Sequence, residues 1–328
     1  MYDGYVKSTG CFVPERVLSN SDLERIVDTN DEWIRKRTGI RERRIVAEGE
    51  STSDLACRAG KIALDRAELA PEDLDAIILG TVSPDTYCPA GAVYVQNKLG
   101  ATKACAFDVS AACSGFVYST TVGSSFVRSG LYENVLVIGA EALSRFVDFT
   151  DRNTCILFGD GAGAAVISRA PEGSESRILD HYLRADGDGA DLIIMKGGGS
   201  RSPATHDTVE ERLHYLTMQG REVFKFATRS MFELIETALE RNDLSLSDID
   251  IIIPHQVNYR IIEAVLRKID IPEDRLFLNL DRYGNTSAAS VPIALHEAVE
   301  AGKVERGKLV LLVAFGAGLT WGYNLIRW

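Results

Sequence analysis

The chain has 328 residues, of which 45% are hydrophobic and 25% charged. This balance is typical of a globular protein and excludes a disordered or fibrous one, and the length allows two domains or one large α/β unit. The formal net charge of −11 argues against a nucleic-acid partner, because phosphate backbones bind to concentrated positive surfaces.

The N-terminal residues and the apolar runs indicate neither export nor a membrane span. The first ten residues, MYDGYVKSTG, contain no basic head followed by an apolar run. The longest nearly apolar stretch, 309–319, is well short of the ~18 residues of a transmembrane helix. We therefore expect a cytoplasmic protein. We also expect reduced thiols and no metal site, because no C-x-x-C spacing occurs among the cysteines.

The first functional signal along the chain is a basic segment. RKRTGIRERR, residues 35–44, contains six basic side chains and one glutamate in an otherwise acidic protein. Two interpretations are open: a solvated surface, or a docking point for a small phosphorylated ligand.

A pattern of elements occurs twice along the chain. LAPEDLDAIILG begins at Leu69 and LSLSDIDIIIPH at Leu244, and each reads as a loop followed by a buried strand. Amphipathic helices are predicted before them, around 54–68 and 223–241. NVLVIGA in the first half parallels KLVLLVA in the second. This duplication predicts two α/β halves with buried sheets that pack into one unit.

Cys113 lies in FDVSAACSGF, where a short apolar strand leads into a predicted helix of small residues. A cysteine is more often inert packing than a nucleophile. However, the unpaired N–H groups and the dipole at a helix start favour a thiolate, so we expect the pKa of Cys113 to be lowered. An offset of 174 between the halves pairs Cys113 with Ser287 in GNTSAASVPIALHEAV.

Two polar residues of the second half are candidates for the same site. His255 follows Pro254 at the end of the strand DIDIIIP, and open α/β sheets bind ligands at that edge. A structural histidine would show the same pattern, and Asn285 in DRYGNTSAAS could be a turn or N-cap residue. The residues alone leave both alternatives open.

Six motifs in order, DEWIRKRTGIRER, DVSAACSGF, FGDGAGAAV, PHQVN, GNTSAAS and AFGAGLTWG, resemble the β-ketoacyl-acyl carrier protein synthase III family of condensing enzymes. The resemblance spans nearly the whole chain. It implies an α/β thiolase-like fold of two pseudo-symmetric halves in a five-layered α-β-α-β-α arrangement. Residues 1–175 would then carry the nucleophile, and residues 176–328 the histidine and the asparagine.

The resemblance also implies a decarboxylative Claisen condensation that initiates fatty acid synthesis. Cys113 would take an acyl group, first of all acetyl, from acyl-CoA, and malonyl-acyl carrier protein would supply the attacking carbanion. His255 and Asn285 would donate hydrogen bonds to the malonyl thioester, and the backbone N–H groups of Cys113 and Ala317 would hold the oxyanion. No metal or redox cofactor is expected, because loss of carbon dioxide generates the nucleophile.

Further positions follow from the resemblance. CoA would be bound by Trp33, Arg37, Thr38, Arg152, Phe224 and Asn258. The acyl pocket would be formed by Tyr87, Cys88 and Phe158, and the loop SPDTYCPAG would close the pocket of the partner in a homodimer. Acyl carrier protein would dock on Arg260, Arg267 and Lys268.

Three positions depart from the family's pattern: Cys88 replaces a phenylalanine of some members, and Asn153 and Ala317 each replace a glycine. Cys88 suggests a pocket deep enough for a medium-length or branched primer. A synthase of specialised metabolism with a longer primer or another acyl acceptor therefore stays open as an alternative. A Cys/His hydrolase and a non-catalytic scaffold are more distant ones.

Overall fold

The computed structural model describes residues 2–328, which form a mixed α/β fold. The strands are β1 (Gly4–Phe12), β2 (Val17–Ser19), β3 (Glu42–Arg44), β4 (Ala76–Gly80), β5 (Cys105–Val109), β6 (Asn134–Glu141), β7 (Gly161–Arg169), β8 (Arg177–Ala185), β9 (Ile193–Ile194), β10 (Thr217–Met218), β11 (Ile251–Pro254), β12 (Leu309–Gly316) and β13 (Thr320–Arg327). The α-helices are α1 (Asn20–Leu23), α2 (Asp31–Thr38), α3 (Thr52–Ala67), α4 (Gly91–Leu99), α5 (Gly115–Ser129), α6 (His206–Glu210), α7 (Gly220–Arg241), α8 (Tyr259–Leu266), α9 (Leu280–Tyr283) and α10 (Ser290–Glu300). Within these residues, no helix has both the length and the apolarity needed to cross a bilayer.

The elements predicted from the repeat are confirmed. The helices expected around 54–68 and 223–241 are α3 and α7. α3 begins after Ser51, whose backbone N–H donates to the Asp54 carboxylate in a capping box. β4 and β12 are buried over their whole length, because runs of Ile, Leu and Val leave no face for water.

Two large sheets and three helix layers form the body of the molecule, and two further sheets, β2-β3 and β9-β10, have two strands each. The first sheet has the strand order β1-β7-β6-β4-β5, and the second has the order β11-β12-β13-β8. α3 and α4 cover the outer face of the first sheet, α5 and α10 lie between the sheets, and α7, with α8 beside it, covers the second sheet. The expected α-β-α-β-α arrangement is thus confirmed. The chain passes from one sheet to the other between β7 and β8, and the domain boundary predicted after residue 175 falls in this connection.

The two halves match at an offset of 175 residues. The pairs β4 and β11, β6 and β12, and α5 and α10 each begin 175 positions apart. A 3-10 turn precedes each central helix, and its first residue, Ala112 or Ser287, has a positive φ of 46° or 49°. The predicted pairing of Cys113 with Ser287 is therefore wrong by one residue, and Ala288 is its counterpart. The error arose because the strand alignment started at Lys308, one residue before β12.

The turns before α5 and α10 pack directly on the first sheet. A Cβ at Gly139 of β6 would lie 2.1 Å from the carbonyl oxygen of Ala288, and a Cβ at Gly80 of β4 would lie 2.6 Å from the carbonyl carbon of Gly115. Glycine is required at both strand positions, because any side chain would push the central helices away. This close approach brings Cys113 and the turn before α10 to the centre of the molecule.

Candidate active site

An apolar cavity of about 200 Å³ lies where the two halves meet. Cys113, His255 and Asn285 all line it, so the structure brings together the three residues that the sequence predicts to be catalytic. Most of the remaining wall is apolar and includes Val82, Leu143, Phe146, Phe158, Met218 and Phe226. A thiol, an imidazole and an amide therefore face one space that is suited to an acyl chain.

Cys113 lies in the turn Ala112–Ser114 that leads into α5. The hydroxyl of Ser114 donates to the carbonyl of Thr320 at 3.1 Å, which ties the turn to β13. On the other side β12 ends at Gly316, where a Cβ would lie 2.8 Å from the backbone nitrogen of Cys113 and 2.9 Å from its Cβ. The thiol thus projects into the cavity from a closely packed turn whose first residue has a strained φ.

The thiol of Cys113 is neutral at rest. Burial raises its pKa to about 12, opposed by a hydrogen bond with Ser287, and the charge of Glu141 raises it further. The expectation that the helix start lowers this pKa is therefore wrong, because the loss of solvation outweighs the helix dipole. Attack on a thioester must then be coupled to loss of the thiol proton.

His255 lies at the carboxyl end of β11 and is 1% exposed. Its Nδ1 lies 2.6 Å from the Oγ of Ser290 at the start of α10, and Phe315 packs edge-on against its ring with 5.5 Å between centroids. Burial lowers the pKa of His255 to about 3. The imidazole is therefore neutral near pH 7 and can donate through one nitrogen only.

Hydrogen bonds hold Asn285 through its backbone and its side chain. Its N–H donates to the carbonyl of Leu157 at 2.8 Å, and its carbonyl accepts from the N–H of Gly159 at 3.0 Å. The N–H of Ser287 donates to its side-chain Oδ1 at 2.8 Å. The Nδ2 group is thereby directed away from Ser287, and it is available as a donor to a molecule in the cavity.

Both residues whose backbone N–H groups are predicted to hold the oxyanion line the cavity. Ala317 follows Gly316 and lines the same cavity as Cys113. Across residues 2–328, neither the Cys113 nor the Ala317 N–H donates to another residue. Ala317 is also not among the described residues with positive φ, so an alanine there does not adopt the left-handed backbone that favours glycine. Both donors can therefore hold an oxyanion at the cavity wall.

A groove of about 650 Å³ adjoins the cavity, and Asn285 and Val257 line both. Four of the six residues predicted to bind CoA line this groove: Arg37, Thr38, Phe224 and Asn258. Asn153, the departure noted from the sequence, lines it too. The groove is the candidate path by which a long thioester substrate reaches Cys113.

The other two predicted CoA ligands, Trp33 and Arg152, contact each other. The guanidinium of Arg152 lies 4.4 Å from the centroid of the Trp33 ring and 3.6 Å from the carboxylate of Asp28. No adenine fits between the guanidinium and the indole at that distance, because one stacked ring pair already needs a centroid separation of about 4.5 Å. The family resemblance implies that the indole and a guanidinium sandwich the adenine of CoA, and such a sandwich between Trp33 and Arg152 requires Arg152 to move off the indole.

The residues predicted for the acyl pocket lie in two places. Phe158 lines the cavity, whereas Tyr87 and Cys88 do not line the cavity of their own chain. Tyr87 is 76% exposed, and Cys88 is also exposed. Both lie in the connection between β4 and α4, and their predicted role in a partner's pocket stays a prediction.

The residues predicted to dock acyl carrier protein are exposed along and just after α8. Arg260 lines the groove described above. Arg267 pairs with Glu263 at 2.7 Å, and the ammonium of Lys268 lies 5.5 Å from the centroid of the Phe232 ring. Of these three predicted docking residues, Arg260 is the one that lines the groove.

Three residues that support the site were not predicted from the sequence. Arg43, within the predicted basic surface, is 0% exposed and donates to the carbonyls of Leu18 and Ile156. The segment 35–44 is therefore not one uniform solvated surface. Ser290 contacts His255, and Glu141 is buried at the end of β6. Only Glu141 carried a signal, as an acid that ends the apolar run VLVIGAE.

Family models match both halves of the chain. The model described as 3-oxoacyl-[acyl-carrier-protein (ACP)] synthase III matches residues 107–187, and the model of its C-terminal part matches residues 239–328. A β-ketoacyl-[acyl-carrier-protein] synthase III of Caldanaerobacter subterraneus subsp. tengcongensis is 54% identical over 98% of this chain and 97% of its own length.

Solved structures agree over the whole length. The 3-oxoacyl-[acyl-carrier-protein] synthase III from Aquifex aeolicus VF5 has a TM-score of 0.91 and 48% identity, covering 99% of this chain and 100% of that chain. The priming β-ketosynthase from the R1128 polyketide biosynthetic pathway has a TM-score of 0.90 and 32% identity, covering 99% and 96%.

Proposed function

The chain belongs to the β-ketoacyl-[acyl-carrier-protein] synthase III family, and from that premise we propose that Cys113, His255 and Asn285 carry out its reaction. It is a condensing acyltransferase that initiates fatty acid synthesis by decarboxylative Claisen condensation. The observation that carries the assignment of the residues is their convergence on one apolar cavity. We propose acetyl-CoA as the first primer and acyl carrier protein as the carrier of the malonyl group. The cytoplasm stays the predicted location.

In the first half-reaction Cys113 becomes acylated. Its sulfur attacks the thioester carbonyl of acyl-CoA, the bond from that carbon to the CoA sulfur breaks, and the proton of the thiol leaves with CoA. The N–H groups of Cys113 and Ala317 hold the oxyanion of the tetrahedral intermediate. Because these donors come from the backbone, alanine serves at position 317 as glycine would.

In the second half-reaction the malonyl thioester loses carbon dioxide. The electrons of the broken carbon–carbon bond pass to an enolate, whose oxygen accepts hydrogen bonds from His255 Nε2 and Asn285 Nδ2. Nδ1 of His255 and Oγ of Ser290 lie 2.6 Å apart, and we propose that the hydroxyl donates to Nδ1, which would place the proton of the neutral imidazole on Nε2. The carbanion then attacks the acyl carbon on Cys113 and forms the new carbon–carbon bond, the bond from that carbon to the Cys113 sulfur breaks, and the sulfur leaves as a thiolate that takes a proton from solvent to restore the thiol. No metal or redox cofactor takes part.

We further propose that CoA and the carrier use the same groove. Arg37, Thr38, Phe224 and Asn258 line it, and the pantetheine arm that both substrates share would pass between them. Trp33 and Arg152 would bind the adenine after Arg152 has moved. Arg260, with Arg267 and Lys268 further along, would attract the acidic surface of the carrier at the groove mouth.

A homodimer is the assembly that best accounts for the first sheet. β5 lies at its edge and pairs with β4 on one side only within residues 2–328. An open edge strand is usually covered, and antiparallel pairing of two copies of β5 would cover it in a twofold-symmetric dimer. α4 packs on β5, so the loop before α4 would lie close to the partner.

The proposed reaction predicts which products one assay should yield. With labelled acetyl-CoA alone, the purified protein should form a stable acyl-enzyme, and addition of malonyl-acyl carrier protein should convert it to 3-ketoacyl-carrier and carbon dioxide. Release of free acetate without condensation would instead identify a hydrolase. Failure to acylate at all would identify a scaffold, and condensation with another acceptor alone would identify a specialised synthase.

The size of the cavity favours a second primer class beside acetyl. About 200 Å³ is several times the ~30 Å³ that one water molecule occupies, and an acetyl methyl fills little of it. We expect hexanoyl-CoA to acylate Cys113 within about 10-fold of the acetyl-CoA rate, because additional methylenes bury apolar surface.

A variant tests the role of Cys88 in this selectivity. Cys88→Phe should slow hexanoyl transfer by at least about 10-fold and leave acetyl transfer nearly unchanged, because the larger side chain shortens the partner's pocket. Cys88→Ser is the matched control that keeps the volume small. Strict acetyl preference in the unmodified protein would contradict the proposal of a longer primer.

A further inference from the structure

Glu141 is a buried acid that the mechanism above does not use. It is the last residue of β6 and is 0% exposed. Burial raises the pKa of Glu141 to about 7, and hydrogen bonds, rather than a basic side chain, oppose this rise by stabilising the carboxylate. A buried carboxylate is costly without such partners, so its place at the centre of the molecule calls for an explanation.

Donors from two separate segments converge on this carboxylate. In the loop after β4, the hydroxyl of Thr81 and the N–H of Val82 donate at 3.1 Å, and Ser83 donates from its N–H at 3.0 Å and from its hydroxyl at 2.5 Å. In the turn before α10, the hydroxyl of Ser287 donates at 3.0 Å. Glu141 therefore ties the two segments together.

The Ser287 side of this network leads to the reacting groups. Ser287 has a φ of 49°, a conformation that its surroundings must hold. Its N–H donates to Oδ1 of Asn285 at 2.8 Å, which selects the amide orientation with Nδ2 toward the cavity. A change in the backbone dihedral angles of Ser287 would move its N–H and remove that selection. The hydrogen bond from the Ser287 hydroxyl to Glu141 holds the residue in place.

The loop side leads to the wall of the cavity. Val82, whose N–H donates to Glu141, lines the cavity beside Cys113. The Oγ of Ser83 also accepts from the N–H of Ala142 at 2.9 Å, so the loop is fixed to the end of β6 at two points. One carboxylate thus joins the cavity wall to the turn that orients Asn285.

We propose that Glu141 is a positioning residue for the second half-reaction, which acts through Ser287 to aim the Asn285 amide at the malonyl thioester. The inference rests on the function proposed above, because Asn285 acts only in that half-reaction. The charge of Glu141 also disfavours the Cys113 thiolate. Loss of that charge should therefore not slow acylation, while loss of the hydrogen bond to Ser287 should slow condensation.

The test is Glu141→Gln in the full-length protein, with the two half-reactions measured separately. Gln keeps the size but presents an amide N–H₂ to a set of donors, so at least one hydrogen bond is lost. The expected result is a condensation kcat about 10- to 100-fold lower with a CoA-release burst at least as fast as in the unmodified protein. Ser287→Ala should also lower condensation, and the double variant should lose no more condensation than either single one. Because Ser287 also hydrogen-bonds the Cys113 thiol, this variant is compared by its condensation rate alone.

Asp180→Asn is the matched control. Asp180 is a carboxylate of β8 held by Arg241 and Tyr323, so its loss should affect stability without changing the ratio of the two half-reactions. The inference is overturned if Glu141→Gln leaves that ratio unchanged or lowers both rates together. If it fails to fold, Ser287→Ala decides through its condensation rate, and normal condensation by that variant overturns the inference. Absence of condensation in the unmodified protein would instead overturn the proposed function.

Discussion

Cys113→Ser should abolish covalent acylation by acyl-CoA and lower condensation by at least about 10⁴-fold. A serine hydroxyl is a far weaker nucleophile than a thiol unless a base removes its proton. Burial lowers the pKa of His255, which lines the cavity with Cys113, to about 3, so it is a poor proton acceptor. Intact-mass spectrometry after incubation with acetyl-CoA, followed by peptide mapping, measures the adduct on residue 113.

Cys57→Ser is the control for this substitution. Cys57 lies on α3 in the outer helix layer, away from the cavity, so this variant should acylate like the unmodified protein. An adduct of normal yield on another residue of Cys113→Ser would show that a different group is the nucleophile. In that case the reaction proposed for the cavity would be wrong.

His255→Ala and Asn285→Ala should separate the two half-reactions. Each removes one donor to the enolate, and loss of such a donor in a dry site lowers a rate by about 10²- to 10³-fold. Acylation of Cys113 relies on backbone N–H groups and should stay within a few-fold of normal. The CoA-release burst reports acylation, and release of labelled carbon dioxide from malonyl-acyl carrier protein reports decarboxylation.

Two further variants make this experiment specific. Asn285→Asp keeps the shape but replaces the Nδ2 donor by a carboxylate oxygen, and we expect it to fail in decarboxylation as the alanine variant does. His206→Ala removes an exposed histidine of α6 and should change neither rate. Normal condensation by either His255→Ala or Asn285→Ala would remove that residue from the mechanism.

Local sequence patterns predicted the helices and strands, because helix and strand formation depends on residues that are neighbours along the chain. The amphipathic period predicts which face of α3 and of α7 is buried, and the apolar runs predict that β4 and β12 are buried on both faces. The structure shows these faces buried. The repeat predicted two sheets in two matching halves. The offset between the halves was wrong by one residue, because aligning two apolar segments does not show at which residue each strand begins.

Motif order along the chain predicted Cys113, His255 and Asn285 as a set, and the fold places all three on one cavity. The pKa of Cys113 could not be predicted from the local sequence. The position of Cys113 at a helix start suggested a lowered pKa, whereas burial raises its pKa to about 12. Desolvation depends on everything packed around a group, and most of those neighbours are distant in sequence.

By itself, the sequence determined the halves, their helices and strands, and the residue types able to do the chemistry, since spacing and composition record these locally. Only the tertiary structure decided which polar groups are buried together. The side chain of Arg43 is buried and donates a hydrogen bond to the carbonyl of Ile156. The carboxylate of Glu141 accepts hydrogen bonds both from the loop after β4 and from Ser287. Such partners lie on different elements, and the free energy of burying a charge depends on their three-dimensional arrangement.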